Sequence, residues 1–82
     1  MLSLTKLQAQ KLRSKLILMT AVKRNKREYG FQLMHENGTV YVVRRIDTPL
    51  PLTCTQLDTA SNLAKFLGFS SWSVRELEVE PT

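Results

Sequence analysis

The chain has 82 residues, 12 Lys and Arg against 7 Asp and Glu, and a formal charge of +5. A chain this short buries only about 60% of its unfolded surface, which excludes a second core and leaves residues 1–82 as a single small domain. No apolar run approaches the roughly 20 residues of a membrane-spanning helix, and the ordinary composition excludes disordered and fibrous classes.

The charge is lopsided. Residues 1–27 carry +8 and no acidic side chain, whereas residues 28–82 sum to −3. The basic segment resembles a mitochondrial presequence in composition. As a secretory signal it fails, because the apolar stretch Leu16–Val22 is short and Lys23-Arg24-Asn25-Lys26-Arg27 follows at once. It runs straight into a hairpin and is read as structure. A lone Cys54 closes no internal disulfide and points to a reducing cytoplasm.

Residues 4–15 predict a basic amino-terminal helix, with Leu4, Leu7 and Leu12 among good helix formers. Leu16–Val22 is a continuous apolar run that fits either a continuation of that helix or a buried strand. The strand is favoured because the following hairpin needs a partner. Tyr29–His35 and Thr39–Ile46 are rich in aromatic and β-branched residues around Asn37-Gly38, which predicts a two-residue hairpin turn. That register sets Leu33 opposite Val42 and Phe31 opposite Arg44. It turns Tyr29, Phe31, Leu33, Val40, Val42 and Ile46 to the core, and Gln32, Met34, Tyr41, Val43 and Arg45 outward.

Pro49 and Pro51 mark a connector. Thr55 as N-cap with Asp58 at N3 then predicts a capped helix over 56–67, closed by Gly68 in a left-handed conformation with Phe69 folding back on it. Residues 71–79 fit a short final strand or helix. The expected fold class is α+β: N-terminal helix, three-stranded antiparallel sheet, capped helix, short final element.

The same register gathers Lys23, Arg24, Lys26, Arg27, Arg44 and Arg45 within roughly 15 Å at the end of the sheet away from the turn. Three readings stay open: a solvated turn, a nucleic-acid site, or a surface for an acidic protein or a membrane. In the second, Lys11, Arg13 and Lys15 support the cluster and Tyr41 adds a stacking or phosphate contact.

Ala60–Leu77 resembles the helix-turn-helix motif of DNA-binding regulators. Ala64 stands at the small position of the first helix, Gly68 at the turn, and Val74 and Leu77 at the apolar positions of the second helix. The resemblance implies a second helix in the major groove with Ser70, Ser71, Trp72 and Arg75 as candidate base-reading residues. The competing reading is a capped helix followed by an edge strand. The layout of sheet then helix is also loosely similar to the small arm-binding domains of integrases, which place a sheet in the DNA groove.

The three glycines are isolated, so no phosphate-cradling loop exists. One Cys and one His, His35, make no metal set. No cofactor and no enzymatic activity are expected.

These features favour a small basic DNA-binding regulatory or accessory protein. Neutralising about six phosphates would give a slope of log K against log salt near −5. The alternatives are a protein-interaction module using the exposed sheet face (Met34, Tyr41, Val43) or Trp72 against an acidic partner, and RNA binding by the same patch. No membrane partner is expected. An edge strand offers a route to a homodimer.

Overall fold

The structure is a computed structural model and describes residues 2–76. It corrects the expected architecture. In place of a long N-terminal helix before a three-stranded sheet, there is a mixed five-stranded sheet with a short first helix and one longer helix. In chain order the elements are β1 (Leu2–Thr5), α1 (Lys6–Lys11), a 3-10 turn (Arg13–Lys15), β2 (Leu16–Lys23), β3 (Tyr29–His35), β4 (Val40–Arg44), α2 (Leu57–Leu67) and β5 (Ser73–Glu76). The sheet order is β1-β4-β3-β2-β5. β2, β3 and β4 form an antiparallel meander, and the edge strands β1 and β5 run parallel to β4 and β2.

The amino-terminal helix is short because Thr5 caps it. Thr5 is extended (φ −73°, ψ 162°), its Oγ1 accepts from the Gln8 N–H at 3.1 Å, and its own N–H donates to Gln8 Oε1 at 2.9 Å. This capping box fixes the helix start at Lys6 and leaves Leu2–Thr5 free to pair with Tyr41–Arg44. Leu16–Lys23 is strand throughout. A register irregularity between Leu16 and Leu18 turns both Leu16 and Met19 into the core and leaves Ile17 60% exposed.

The hairpin register differs from the expected one by one residue. Asn37 does not take a positive φ; its Oδ1 accepts from the Thr39 N–H at 2.9 Å in an Asx turn. Gly38 alone is left-handed (φ 91°), the Gly38 N–H donates to His35 O at 2.9 Å, and the His35 N–H to Thr39 O at 2.8 Å. The loop is therefore Glu36-Asn37-Gly38, a turn followed by a glycine bulge. Leu33 faces Tyr41 and Gln32 faces Val42. A one-residue slip exchanges the faces of a strand. Val43, expected outward, is fully buried, Val42 is half-buried on the opposite face, and Ile46 is 57% exposed.

The core joins Met19, Ala21, Phe31, Leu33 and Val43 from one face of the sheet to Ala9 on α1, to Ala60, Leu63, Ala64 and Leu67 on α2, and to Phe69. α2 begins one residue later than the expected Thr55 cap allows. Gln56 is its N-cap, without a side-chain hydrogen bond, because Cys54 is held in extended pairing with Tyr29. Gly68 closes it at φ 86°, and the Gly68 and Phe69 N–H groups both donate to Ala64 O at 2.8 Å. The chain then returns as β5 beside β2, so Ser73–Glu76 is strand. The remainder of the expected final element, including Leu77, lies outside the described residues.

Candidate nucleic-acid interface

The helices and the core side chains lie against one face of the sheet. Strand alternation sends Thr20, Val22, Gly30, Gln32, Met34 and Val42 to the other face, which no helix among the described residues covers. Arg44 and Arg75 alternate onto that same face, Arg75 paired with Val22. Arg24, just past the end of β2, lies over Gly30, since a Cβ on Gly30 would meet Arg24 Cδ at 3.1 Å.

The turn between β2 and β3 is ordered by its own hydrogen bonds. The Arg24 N–H donates to Glu28 O at 2.8 Å, and the Arg27 N–H donates to Asn25 Oδ1 at 2.9 Å. Arg24, Lys26 and Arg27 are exposed and have no carboxylate within ion-pair distance among the described residues.

The other expected contacts are scattered. Lys23 lies 3.6 Å from Glu76 and Arg45 lies 3.8 Å from Asp47. Both pairs are solvent-exposed, so they soften those charges without cancelling them. Arg44 and Arg45 do not sit beside the turn on a neighbouring strand. β3 and β4 part beyond Gln32 and Val42, and the connector fills the gap, bridging Arg44 through Pro51 and Tyr29 through Cys54.

Lys11, Arg13 and Lys15 belong to the opposite end of the sheet, where Lys15 O accepts from the Glu36 N–H at 2.8 Å. Arg13 is structural. Its guanidinium stacks 3.7 Å from the Phe69 ring centroid, Nη1 donates to Leu16 O at 2.8 Å, and Nη2 donates to Gly68 O at 3.3 Å.

Tyr41 shares the core-facing side with Leu33 and Val43 and packs against the core. Of the proposed protein-docking trio Met34, Tyr41 and Val43, only Met34 is on the uncovered face. Trp72 is half-buried against the core, Ser70 and Ser71 are exposed in the link from α2, and Arg75 is on a strand, not a helix.

Gly30 and Gln32 stand outside the site residues that the sequence predicts. The available signal was a lone glycine inside a strand, which often records close approach of another group.

Cys54 is buried, and desolvation raises its thiol above the ordinary value. Among the described residues no three His, Cys, Asp or Glu side chains are grouped to hold a metal, and no helix is long and apolar enough to cross a membrane. Compared with known proteins, the chain matches no family model, no curated protein and no solved structure.

Proposed function

We propose that the protein binds duplex DNA through its phosphate backbone, using the β2–β3 turn and the adjoining end of the uncovered sheet face. The observation that carries this reading is the ordered turn with Arg24, Lys26 and Arg27 exposed and unpaired among the described residues, next to Arg75 and, across the connector, Arg44. Such a cluster is self-repelling, and a polyanion relieves the repulsion.

Two magnitudes shape the reading. Five strands about 4.8 Å apart span about 19 Å, wider than a major groove of about 12 Å, so the turn enters the groove and the sheet does not. Single-stranded nucleic acid is usually held by aromatic stacking platforms. Here Tyr29, Tyr41 and Trp72 pack toward the core, and Phe31 is buried in it. Among the described residues the uncovered face therefore offers no aromatic track, which favours duplex DNA over single-stranded RNA.

The test is an anisotropy titration with random duplex DNA across a range of salt. Five phosphate contacts give a slope of log K against log salt of about −4.5, and a flat dependence removes the reading.

A further inference from the structure

Where β3 and β4 part, the uncovered face is hollow. A depression of about 290 Å³ opens there, lined by Val22, Arg24, Gly30, Gln32, Val42 and Pro51, together with Phe31. It exists for two reasons on the chain itself. The connector holds the two strands apart, and Gly30 contributes no side chain to fill the floor. The Arg24 stem lies along the floor, 3.1 Å from where a Gly30 Cβ would stand.

The walls combine four apolar residues, Val22, Phe31, Val42 and Pro51, with the Arg24 side chain and a carboxamide. Neither the Arg24 side chain nor the Gln32 side chain has a hydrogen-bond partner among the described residues. The volume falls at the lower end of small-molecule sites, about 300 Å³. Flat heterocycles fit such a setting. Arg guanidinium planes, like aromatic side chains, stack on bases, and a glutamine carboxamide presents a donor and an acceptor side by side, the pattern that pairs with an adenine edge.

We propose that this depression receives one nucleobase, stacked on Arg24 and hydrogen-bonded by Gln32, from a nucleotide whose phosphate is held by the β2–β3 turn. The proposal rests on the phosphate-binding reading and adds an unpaired base to the substrate. That base comes either from a free mononucleotide or from an unpaired position at the end of a duplex.

The test follows the backbone amides by NMR while adenosine monophosphate or ribose 5-phosphate is added to the full chain. The expected result is saturable shifts at Val22, Gly30, Gln32 and Val42 with the nucleotide, and shifts confined to Arg24–Arg27 with the sugar phosphate. Gln32→Leu removes no intramolecular hydrogen bond and should weaken the nucleotide about tenfold. Gly30→Val pushes the Arg24 stem, 3.1 Å from the added Cβ, out of its place and should do the same, with Gln32→Leu as the readout if the valine variant unfolds.

In the second arm, a blunt duplex is compared with one carrying a single unpaired 3′ adenine. A preference for the overhang that disappears in Gln32→Leu assigns the base to a nucleic-acid end. Nucleotide shifts without that preference assign it to a free nucleotide. Equal shifts from nucleotide and sugar phosphate, or shifts away from the depression, overturn the proposal while salt-dependent blunt-duplex binding stands. Loss of blunt-duplex binding alone overturns the phosphate reading and leaves the nucleotide arm to judge the pocket.

Discussion

Tyr29 and Cys54 exchange both of their backbone hydrogen bonds, the Tyr29 N–H donating to Cys54 O at 2.8 Å and the Cys54 N–H to Tyr29 O at 3.0 Å. With Leu52 N–H on Val43 O at 3.0 Å and Arg45 N–H on Leu50 O at 2.9 Å, this pair turns the proline connector into a wedge between β3 and β4. The wedge satisfies strand ends that would otherwise be orphaned. It also separates Arg44 from the β2–β3 turn and opens the depression over Gly30.

The wedge buries the Cys54 thiol, and burial raises its pKa above the ordinary value of 9.0. The folded state therefore keeps its proton at a pH where the unfolded state has lost it. The contribution to stability is intact below 9.0 and is lost as pH rises through and beyond that value. Chemical denaturation across the alkaline range should show a steeper fall for the wild type than for Cys54→Ala. Equal slopes would mean that the thiol is as solvated in the fold as in the unfolded chain. Iodoacetamide should likewise react more slowly with the native protein than with the denatured one.

The hairpin register makes a sharp distinction between two adjacent valines. Val43 is fully buried in the core cluster that also holds Leu33 and Phe31, while Val42 is half-buried on the uncovered face. Val43→Ala removes the equivalent of two buried methylenes and should cost about 2 kcal/mol, with any residual cavity adding to that. Val42→Ala should cost less than about 1 kcal/mol. Urea denaturation of both variants measures the difference, and the opposite order would restore the register that a two-residue Asn37-Gly38 loop implies.

That valine pair also shows where the sequence is readable. Strands 29–35 and 40–44 and the helix through Leu67 with its Gly68 cap announce themselves by periodicity, β-branched content and turn residues. The face of β4 does not, because Asn-Gly serves two loop geometries and the choice depends on whether Asn37 spends its carboxamide on Thr39. Thr5 and Gln8 have the spacing of a capping box, yet the leucines around them read as one continuous helix. β1 and β5 contain four residues each. Strands so short are defined by their neighbours rather than by any pattern of their own. The basic turn of the candidate site is legible as a charge run. The separation of Arg44 and Arg45 from that turn depends on the wedge, which two prolines conceal.

Duplex and single-stranded ligands should separate cleanly. Phe31 reaches the depression but is buried, and no other aromatic side chain faces the uncovered side among the described residues, so single-stranded RNA gains the phosphate contacts but lacks a stacking track worth about 1–3 kcal/mol per base. A competition experiment at fixed salt, run on the Gln32→Leu variant so that the base depression makes no contribution, should find blunt duplex DNA displacing a labelled duplex at lower concentration than an unstructured RNA of equal length. Stronger displacement by the RNA would move the contact surface away from this face.

Arg13 and Arg27 are both arginines of the basic amino-terminal third, but their surroundings assign them different work. Arg13 is clamped between the Phe69 ring and two carbonyls, with Nε buried and without a partner among the described residues. Removing it frees the Leu16 and Gly68 carbonyls and uncovers Phe69, so Arg13→Ala should cost about 2 kcal/mol. Lysine lacks the planar fork and should recover only part of that. Since Arg13 lies at the far end from the turn, its loss should leave the salt slope of DNA binding unchanged in the folded protein. Arg27 is exposed on the turn, its backbone N–H alone engaged with Asn25. Arg27→Ala should leave stability within about 0.5 kcal/mol of wild type and lower the magnitude of the salt slope by about 0.9. Thermal melts and salt titrations on both variants form a double dissociation. A slope that changes with Arg13 and not with Arg27 would place the phosphate contacts at the hairpin end of the sheet instead.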